Sequence, residues 1–490
     1  MDEDQAGSPA QTRKTRNGAV FSLGAYGITR ALNLLVTVML ARSLGPEGMG
    51  LIAAALLVVE VIDMARGLGL KETLIYDRTG SAHLQTTAFL IIMGVAFVQA
   101  GALFLAAPFA VAYVDDALIV PMLMWFALLF PVTAIGTVPE AVLNRNLRFV
   151  ATSVAEIAGV IVKASVAIAL IWQGFGVWSM VAGMLSGVMV RSALYGGLAG
   201  WRPVRPLTDK ASLLGLLGYG KHIFLSSLLN FFKMRADQLV IVLAMGDAAL
   251  GVYFVASRIP DIIITGVNSA LTKVIFPTFS KMSDSRERLT EMYLVTLGGS
   301  MLVMAPLSIG LMAIAPQAVP ALFGQQWMES VPVLIALAAS GIFQTVGWTV
   351  GDVFKATGRP HLLSLLMIVQ IFVTLPLVLT AAVLTGDIVW IAVAIAAGEG
   401  IMSAIRLWYM QRVDRVSAWR TVLAASRPIT AAAAMGLVVL GVAALLSDVQ
   451  PGLRLFASVA AGAIVYPPLV FLIDRENVLR WAGPRRRAKD

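Results

Sequence analysis

Apolar runs long enough to cross a bilayer recur along this 490-residue chain, and they limit what it can fold into more than any other feature. A hydrocarbon core about 30 Å thick takes roughly 20 helical residues per crossing. Such runs fall at about 19–41, 48–68, 85–108, 119–138, 152–173, 176–196, 221–244, 249–276, 292–315, 330–354, 361–385, 388–410, 422–445 and 454–473, which predicts fourteen transmembrane helices. Backbone groups in lipid must be satisfied within their own segment, and these runs exceed the length of barrel strands, so an all-α polytopic membrane protein is expected. Composition agrees. Hydrophobic residues make up 58% and charged residues 13%, a mix far from that of a soluble domain of this size.

The turns between runs alternate in charge. With a cytoplasmic amino terminus carrying Arg13, Lys14 and Arg16, the turns on that side hold Lys71 and Arg78; Arg145 and Arg148; Arg202, Arg205 and Lys210; Lys281, Arg286 and Arg288; Lys355 and Arg359; and Arg412, Arg415 and Arg420. The tail adds Arg485, Arg486, Arg487 and Lys489. Opposite turns carry mainly acids: Arg42 with Glu47, Asp115 with Asp116, Asp247, Glu329, Asp387, and Asp448 with Arg454, and no charge near Gly174. This is the positive-inside pattern for an even number of spans with both termini in the cytoplasm. The formal charge of +9 is thereby placed by topology, and no nucleic-acid partner is expected. The first span lacks a small-residue cleavage pattern and reads as a retained helix. The chain has no cysteine, so it has no disulfide or thiol chemistry.

Two pairs of turns resemble each other. Leu143–Phe149, after the fourth span, has a counterpart in Phe354–Pro360 after the tenth, and Leu44–Gly50, after the first, has one in Ala244–Gly251 after the seventh. A six-span offset preserves membrane orientation, so parallel repeats are expected. The expected organisation is a cytoplasmic tail (1–18), an N-lobe of six helices (19–200), a cytoplasmic linker (201–220), a C-lobe of six helices (221–412), two appended helices (421–474) and a basic cytoplasmic tail (475–490).

Charges inside the spans are the candidate functional residues. Arg30 lies midway along the first span; Glu60 and Asp63 sit in the second, Glu156 and Lys163 in the fifth, Lys233, Arg235 and Asp237 in the seventh, Arg258 and Asp261 in the eighth, Glu399 and Arg406 in the twelfth. Such groups are costly against lipid and mark polar pathways. Arg258 and Asp261, three apart, share a helix face. Arginines facing a wet interior would suit a phosphate or carboxylate ligand, because the guanidinium fork makes paired charge-assisted bonds. Arg30, Arg235, Arg258, Lys233, Asn33, Asn230 and Asn268 are therefore the candidate substrate-binding positions, with Gln344 and Trp348 as further sugar-facing candidates. Asp63, Asp261 and Glu399 are candidates for coupling a proton or sodium ion. Glu60, Asp63 and Glu156 have a second reading as structural counter-ions of Arg30 or Lys163. Gly24, Gly27, Gly183, Gly187, Gly196 and Gly197 permit close helix contact. Pro260 is expected to kink the eighth helix beside the charges, and residues 139–149 to form a short interfacial helix. No catalytic or metal site, nucleotide fingerprint or catalytic loop is evident, and neither an enzyme nor a bound cofactor is expected.

The Arg30–Gly50 segment, ending Ala41-Arg42-Ser43-Leu44-Gly45-Pro46-Glu47-Gly48-Met49-Gly50, with the Leu143–Phe149 and Phe354–Pro360 turns, resembles the multidrug/oligosaccharidyl-lipid/polysaccharide flippase superfamily and its Wzx-like polysaccharide-exporter branch. That resemblance implies a V-shaped, alternating-access bundle of two six-helix lobes plus two carboxy-terminal helices, in the bacterial inner membrane. It implies movement of an undecaprenyl-pyrophosphate-linked oligosaccharide from the cytoplasmic to the periplasmic leaflet for O-antigen, capsule or exopolysaccharide synthesis. It also implies contact with membrane phospholipids and with polymerase and chain-length machinery. Lipid II translocation and ion-coupled export of small cationic drugs are the alternatives, and the basic residues in the spans argue against the second.

Overall fold

The computed structural model describes residues 9–64, 66–77, 80–114, 116–206, 210–280, 286–359, 361–413 and 415–475. Arg78, Asp115, Lys281 and the basic tail from Arg485 to Lys489 lie outside the described residues. The described chain is helical: α1 (Pro9–Asp63), α2 (Leu70–Tyr76), α3 (Ala82–Ala106), α4 (Ile119–Phe126), α5 (Leu129–Arg145), α6 (Phe149–Trp172), α7 (Trp178–Ala199), α8 (Lys210–Ser280), α9 (Arg286–Leu322), α10 (Ser330–Ala356), α11 (His361–Thr385), α12 (Ile388–Val413), α13 (Ala418–Leu445) and α14 (Pro451–Ile473). Twelve helical stretches among the described residues are long and apolar enough to span a membrane.

Two of the twelve are far longer than one crossing requires. Gly24–Asp63 has 40 residues and Phe224–Thr272 has 49; straight helices of those lengths would reach about 60 and 74 Å, at least twice the hydrocarbon thickness. Each is interrupted by one glycine outside helical geometry, Gly45 (φ 70°, ψ −174°) in α1 and Gly246 (φ 86°, ψ −177°) in α8. That backbone region is open essentially only to glycine, and another residue there costs roughly 1–3 kcal/mol. Gly45→Ala and Gly246→Ala should each lower the temperature of thermal inactivation, whereas Gly24→Ala should not. An added Cβ meets nothing within 4 Å at any of the three, so only the backbone distinguishes them.

Several sequence expectations change in detail. Helix α1 already runs at Pro9, inside the stretch read as a tail. The second apolar run stops at Asp63, and residues 66–76 form a 3₁₀ turn and α2. Residues 139–145 are the last turns of α5 rather than a separate interfacial helix, because Pro139 is accommodated inside it. The break in α8 is at Gly246, while Pro260 sits buried in continuous helix.

The chain divides into two compact units: Met1–Arg235 with Gly246–Gly251, and Ala236–Met245 with Val252–Asp490. In the first, α6 packs on α1 and α7, and α5 on α3 and α7. Glycines permit the closest of these approaches, since a Cβ on Gly183 would fall 2.9 Å from the Lys163 carbonyl and one on Gly187 2.6 Å from the Gly159 carbonyl. Gly24, Gly27, Gly196 and Gly197, also read as packing residues, have open space instead. In the second unit α9 packs against α10, α13 and α14, and α12 against α10 and α11. Its core gathers Phe279, Tyr293, Met301, Val350, Phe354 and Met410.

The repeat seen in the turns extends to the backbone. The span Ile119–Arg145 and the span Ser330–Ala356 each have 27 residues. Both end in a Schellman-type cap. Arg148 N–H donates to the Leu143 carbonyl at 2.9 Å, and Arg359 N–H to the Phe354 carbonyl at 2.8 Å. The left-handed residue is Leu147 (φ 53°) in one and Gly358 (φ 71°) in the other.

Candidate functional site

Arg30 lies on α1 about 22 Å before the Gly45 break at 1.5 Å per residue, deep within a spanning segment. It is exposed, its guanidinium stands 5.0 Å from the Tyr26 ring centroid, and among the described residues no carboxylate pairs with it. Asn33 lies three residues further along and so shares its face. The Asn33 amide is engaged at both ends: its Nδ2 donates to the Thr29 carbonyl at 2.8 Å, and its Oδ1 accepts from Lys163 Nζ of α6 at 2.9 Å. Asn33, expected as a sugar contact, instead holds a second cation within about one helical turn of Arg30. Lys163 stood out in the sequence as a mid-span charge, but not as part of the site. Its partner becomes visible only once α6 packs on α1.

Arg235 is not a bare cation. Its Nε and Nη2 donate to Glu60 at 2.7 and 3.2 Å, a two-pronged pair between α8 and α1. Asp63 likewise pairs with Arg66 at 2.5 Å, three residues away. Neither acid neutralises Arg30. Lys233 is half-buried and Asn230 exposed on the same stretch of α8.

In the second unit, the Arg258 guanidinium carbon sits 3.6 Å from the Phe254 ring centroid, a cation–π contact one turn back along α8. Asp261 is exposed on that helix, and Asn268 is buried at 2% exposure with its Nδ2 lacking a hydrogen-bond partner among the described residues. Gln344 donates to Ser340 Oγ at 3.0 Å, and Trp348 is half-buried.

Glu399 forms a closed triangle. Gln370 of α11 donates to Glu399 Oε1 at 2.6 Å, Arg406 Nη1 donates to Glu399 Oε2 at 3.5 Å, and Arg406 Nη2 donates to Gln370 Oε1 at 2.9 Å. All three side chains are buried. Gly347 on α10 makes the room, since a Cβ there would stand 2.5 Å from Arg406 Nη1. A carboxylate with both oxygens engaged this way cannot take up a cation unless the triangle opens. Gln370 was missed from sequence because a lone glutamine in an apolar run carries no charge signal.

Among the described residues no cluster of His, Cys, Asp or Glu could hold a metal ion. The arrangement is that of a polytopic helical transporter with basic groups inside its spans. The profile described as "Polysaccharide biosynthesis protein" matches residues 39–332, and the chain belongs to that family. It is 29% identical to the succinoglycan biosynthesis transport protein ExoT of Rhizobium meliloti over 482 residues, covering 97% of this chain and 96% of that one. It is 25% identical to the lipopolysaccharide biosynthesis protein WzxC of Escherichia coli over 381 residues, 76% of each chain. The solved structure of lipid II flippase MurJ in an inward closed conformation superposes with a TM-score of 0.74 at 12% identity, covering 94% of this chain and 100% of that one. At that identity the likeness shows the fold.

Proposed function

We propose that this protein flips a polyprenyl-pyrophosphate-linked oligosaccharide across the bacterial inner membrane for extracellular polysaccharide synthesis, with an undecaprenyl carrier and delivery to a polymerase. The observation that supports this reading is the Arg30–Asn33–Lys163 arrangement, in which Asn33, one turn from Arg30 on α1, holds the ammonium of Lys163 on α6, and no carboxylate among the described residues pairs with Arg30. Two linked phosphates carry adjacent negative charges, and cationic donors in a partly dehydrated site bind them by charge-assisted bonds. A cationic drug would meet repulsion at the same place.

In this reading α1 and α8 each cross twice, turning at Gly45 and Gly246. The result is fourteen crossings in two six-helix lobes, 19–200 and 221–412, with α13 and α14 appended and both termini cytoplasmic. The lobes rock to expose the headgroup alternately, while the isoprenoid tail stays in lipid. Arg258, Arg235, Lys233, Asn230 and Asn268 are secondary ligand positions. A proton or sodium gradient drives net flux, with Asp261, the exposed acid of the three coupling candidates, as the first to test.

Purified protein in proteoliposomes should move a fluorescent oligosaccharide-pyrophosphate lipid to the far leaflet and should not accumulate a cationic dye. Dye accumulation without lipid translocation would overturn the assignment.

A further inference from the structure

Most of the positions expected to face sugar are engaged elsewhere: the Asn33 amide is bonded at both ends, Gln344 donates to Ser340, and Asn268 is buried at 2% exposure. Two charged side chains of the first unit are open instead. Glu156 is exposed, about 10 Å along α6 from its start at Phe149 and inside a spanning segment. It points away from the exposed apolar arc of its helix. At about 100° per residue, Val150, Val154 and Ile161 lie about 120–160° around α6 from Glu156, whereas Lys163 lies within about 20° of it. Lys163 reaches Asn33 on α1, so Glu156 shares the α6 face that serves the Arg30–Asn33–Lys163 group. It bonds to neither Arg30 nor Lys163, the cations it was read as neutralising. Its electrostatic neighbours are Glu140 on α5, Arg191 on α7 and Lys71 on α2. Glu140 and Lys71 are joined to each other at 2.5 Å. Among the described residues, Glu156 and Arg191 have no hydrogen-bond or ion-pair partner. The backbone sets their spacing: a Cβ on Gly159 would stand 2.8 Å from the Gly187 carbonyl and 2.9 Å from Arg191 Cβ. Half-buried Arg191 is thus rooted against Gly159, about one turn along α6 from Glu156.

We propose that Glu156 and Arg191 form a saccharide subsite that binds the hydroxyls of the sugars next to the pyrophosphate. The subsite rests on the cargo assignment and adds to it where the sugar sits. A carboxylate accepts from two neighbouring hydroxyls at once, and a guanidinium donates to two oxygens, so the pair matches a ring that offers both donors and acceptors. Two complementary charges in a span that have not closed onto each other are costly unless a ligand or water meets them. The close α6–α7 packing holds them at a fixed separation, so little ordering is required when sugar binds. A carboxylate repels phosphate, which orients the headgroup: the phosphates stay with Arg30 and Lys163, and the sugars lie toward Glu156. The seven residues from Lys163 to Glu156 rise about 10 Å, which leaves room for sugar beyond the phosphates.

Two probes binding to the full chain in nanodiscs test the subsite: polyprenyl pyrophosphate, and the same lipid carrying a tetrasaccharide of neutral hexoses. The parent should bind the saccharide lipid about tenfold or more tightly than the bare one, as expected for added charge-assisted bonds. Glu156→Gln and Arg191→Gln should each raise the Kd of the saccharide lipid about tenfold and shift that of the bare lipid less than about twofold, because a charge-assisted bond becomes at best a neutral one. Glu156→Asp should recover part of the loss, since it keeps the carboxylate. Arg30→Ala should weaken both probes by the same factor. Equal weakening of the two probes by Glu156→Gln, or no change in either, would overturn the subsite, and so would a parent that gains nothing from the sugar. If the glutamine variants fail to fold, Glu156→Cys decides, on a chain with no other cysteine. The saccharide lipid should slow its reaction with a water-soluble thiol reagent while the bare lipid does not; equal protection by both, or none, would overturn the subsite. A parent that binds neither lipid would show a different failure, that of the cargo assignment itself.

Discussion

Arg30→Ala should cut translocation of a pyrophosphate-linked saccharide by about 10–100-fold, the loss expected for one or two charge-assisted hydrogen bonds to phosphate. Folding should be nearly unaffected, because Arg30 is exposed, sits 5.0 Å from the Tyr26 ring and pairs with no carboxylate among the described residues; surface changes of that kind stay within about 0.5 kcal/mol. Arg30→Lys should recover only part of the activity, since an ammonium keeps the charge but loses the fork. Asn33→Leu should resemble a weaker Arg30→Ala, because Lys163 loses the acceptor that positions it. Arg235→Ala should behave differently and lower stability as well as transport, because it strips Glu60 of its two-pronged partner. Leaflet-resolved transport and thermal inactivation, measured on the same preparations, separate the two behaviours. Normal transport by Arg30→Ala would remove the main support for an anionic cargo.

Arg406→Leu should destabilise the protein by about 3–5 kcal/mol, the cost of leaving one member of a buried ion pair without its partner. Glu399 would keep the Gln370 amide as its donor and lose the cation. Arg406→Leu combined with Glu399→Leu should recover most of the loss, because replacing both charges with apolar side chains removes the desolvation penalty along with the attraction. Glu399→Gln should sit between, since a neutral amide still accepts from Arg406. The set also tests ion coupling. If Glu399 carries the coupling ion, Glu399→Gln loses gradient-dependent transport even where its stability is close to that of the parent. If the triangle is a strut, transport falls only as far as folding does. Thermal inactivation and transport with and without an imposed pH or sodium gradient distinguish the two.

The apolar runs located the spanning helices because lipid leaves a backbone little alternative to helix, and the length of a crossing is set by the bilayer. The paired turns were legible for a related reason: a cap or break that needs a left-handed residue leaves glycine in the sequence, as at Gly45, Gly246 and Gly358. Leu147, in left-handed geometry without being glycine, shows the limit of that signal. Pro260 misled for the opposite reason. Proline in a membrane helix can be absorbed without a break, and the interruption of α8 fell at a glycine instead.

By itself, the sequence determined that this is a many-spanning helical protein with basic groups in places where lipid would exclude them. Helix period, apolar length and charge are local quantities, so one strand of text carries them. Tertiary packing decided which of those charges are spent on one another. Arg235 meets Glu60, Lys163 meets Asn33 and Glu399 meets Arg406 and Gln370, while Arg30 meets no acid among the described residues. Ion pairing depends on distances of a few ångströms between helices far apart in sequence, and those distances exist only after the helices have packed.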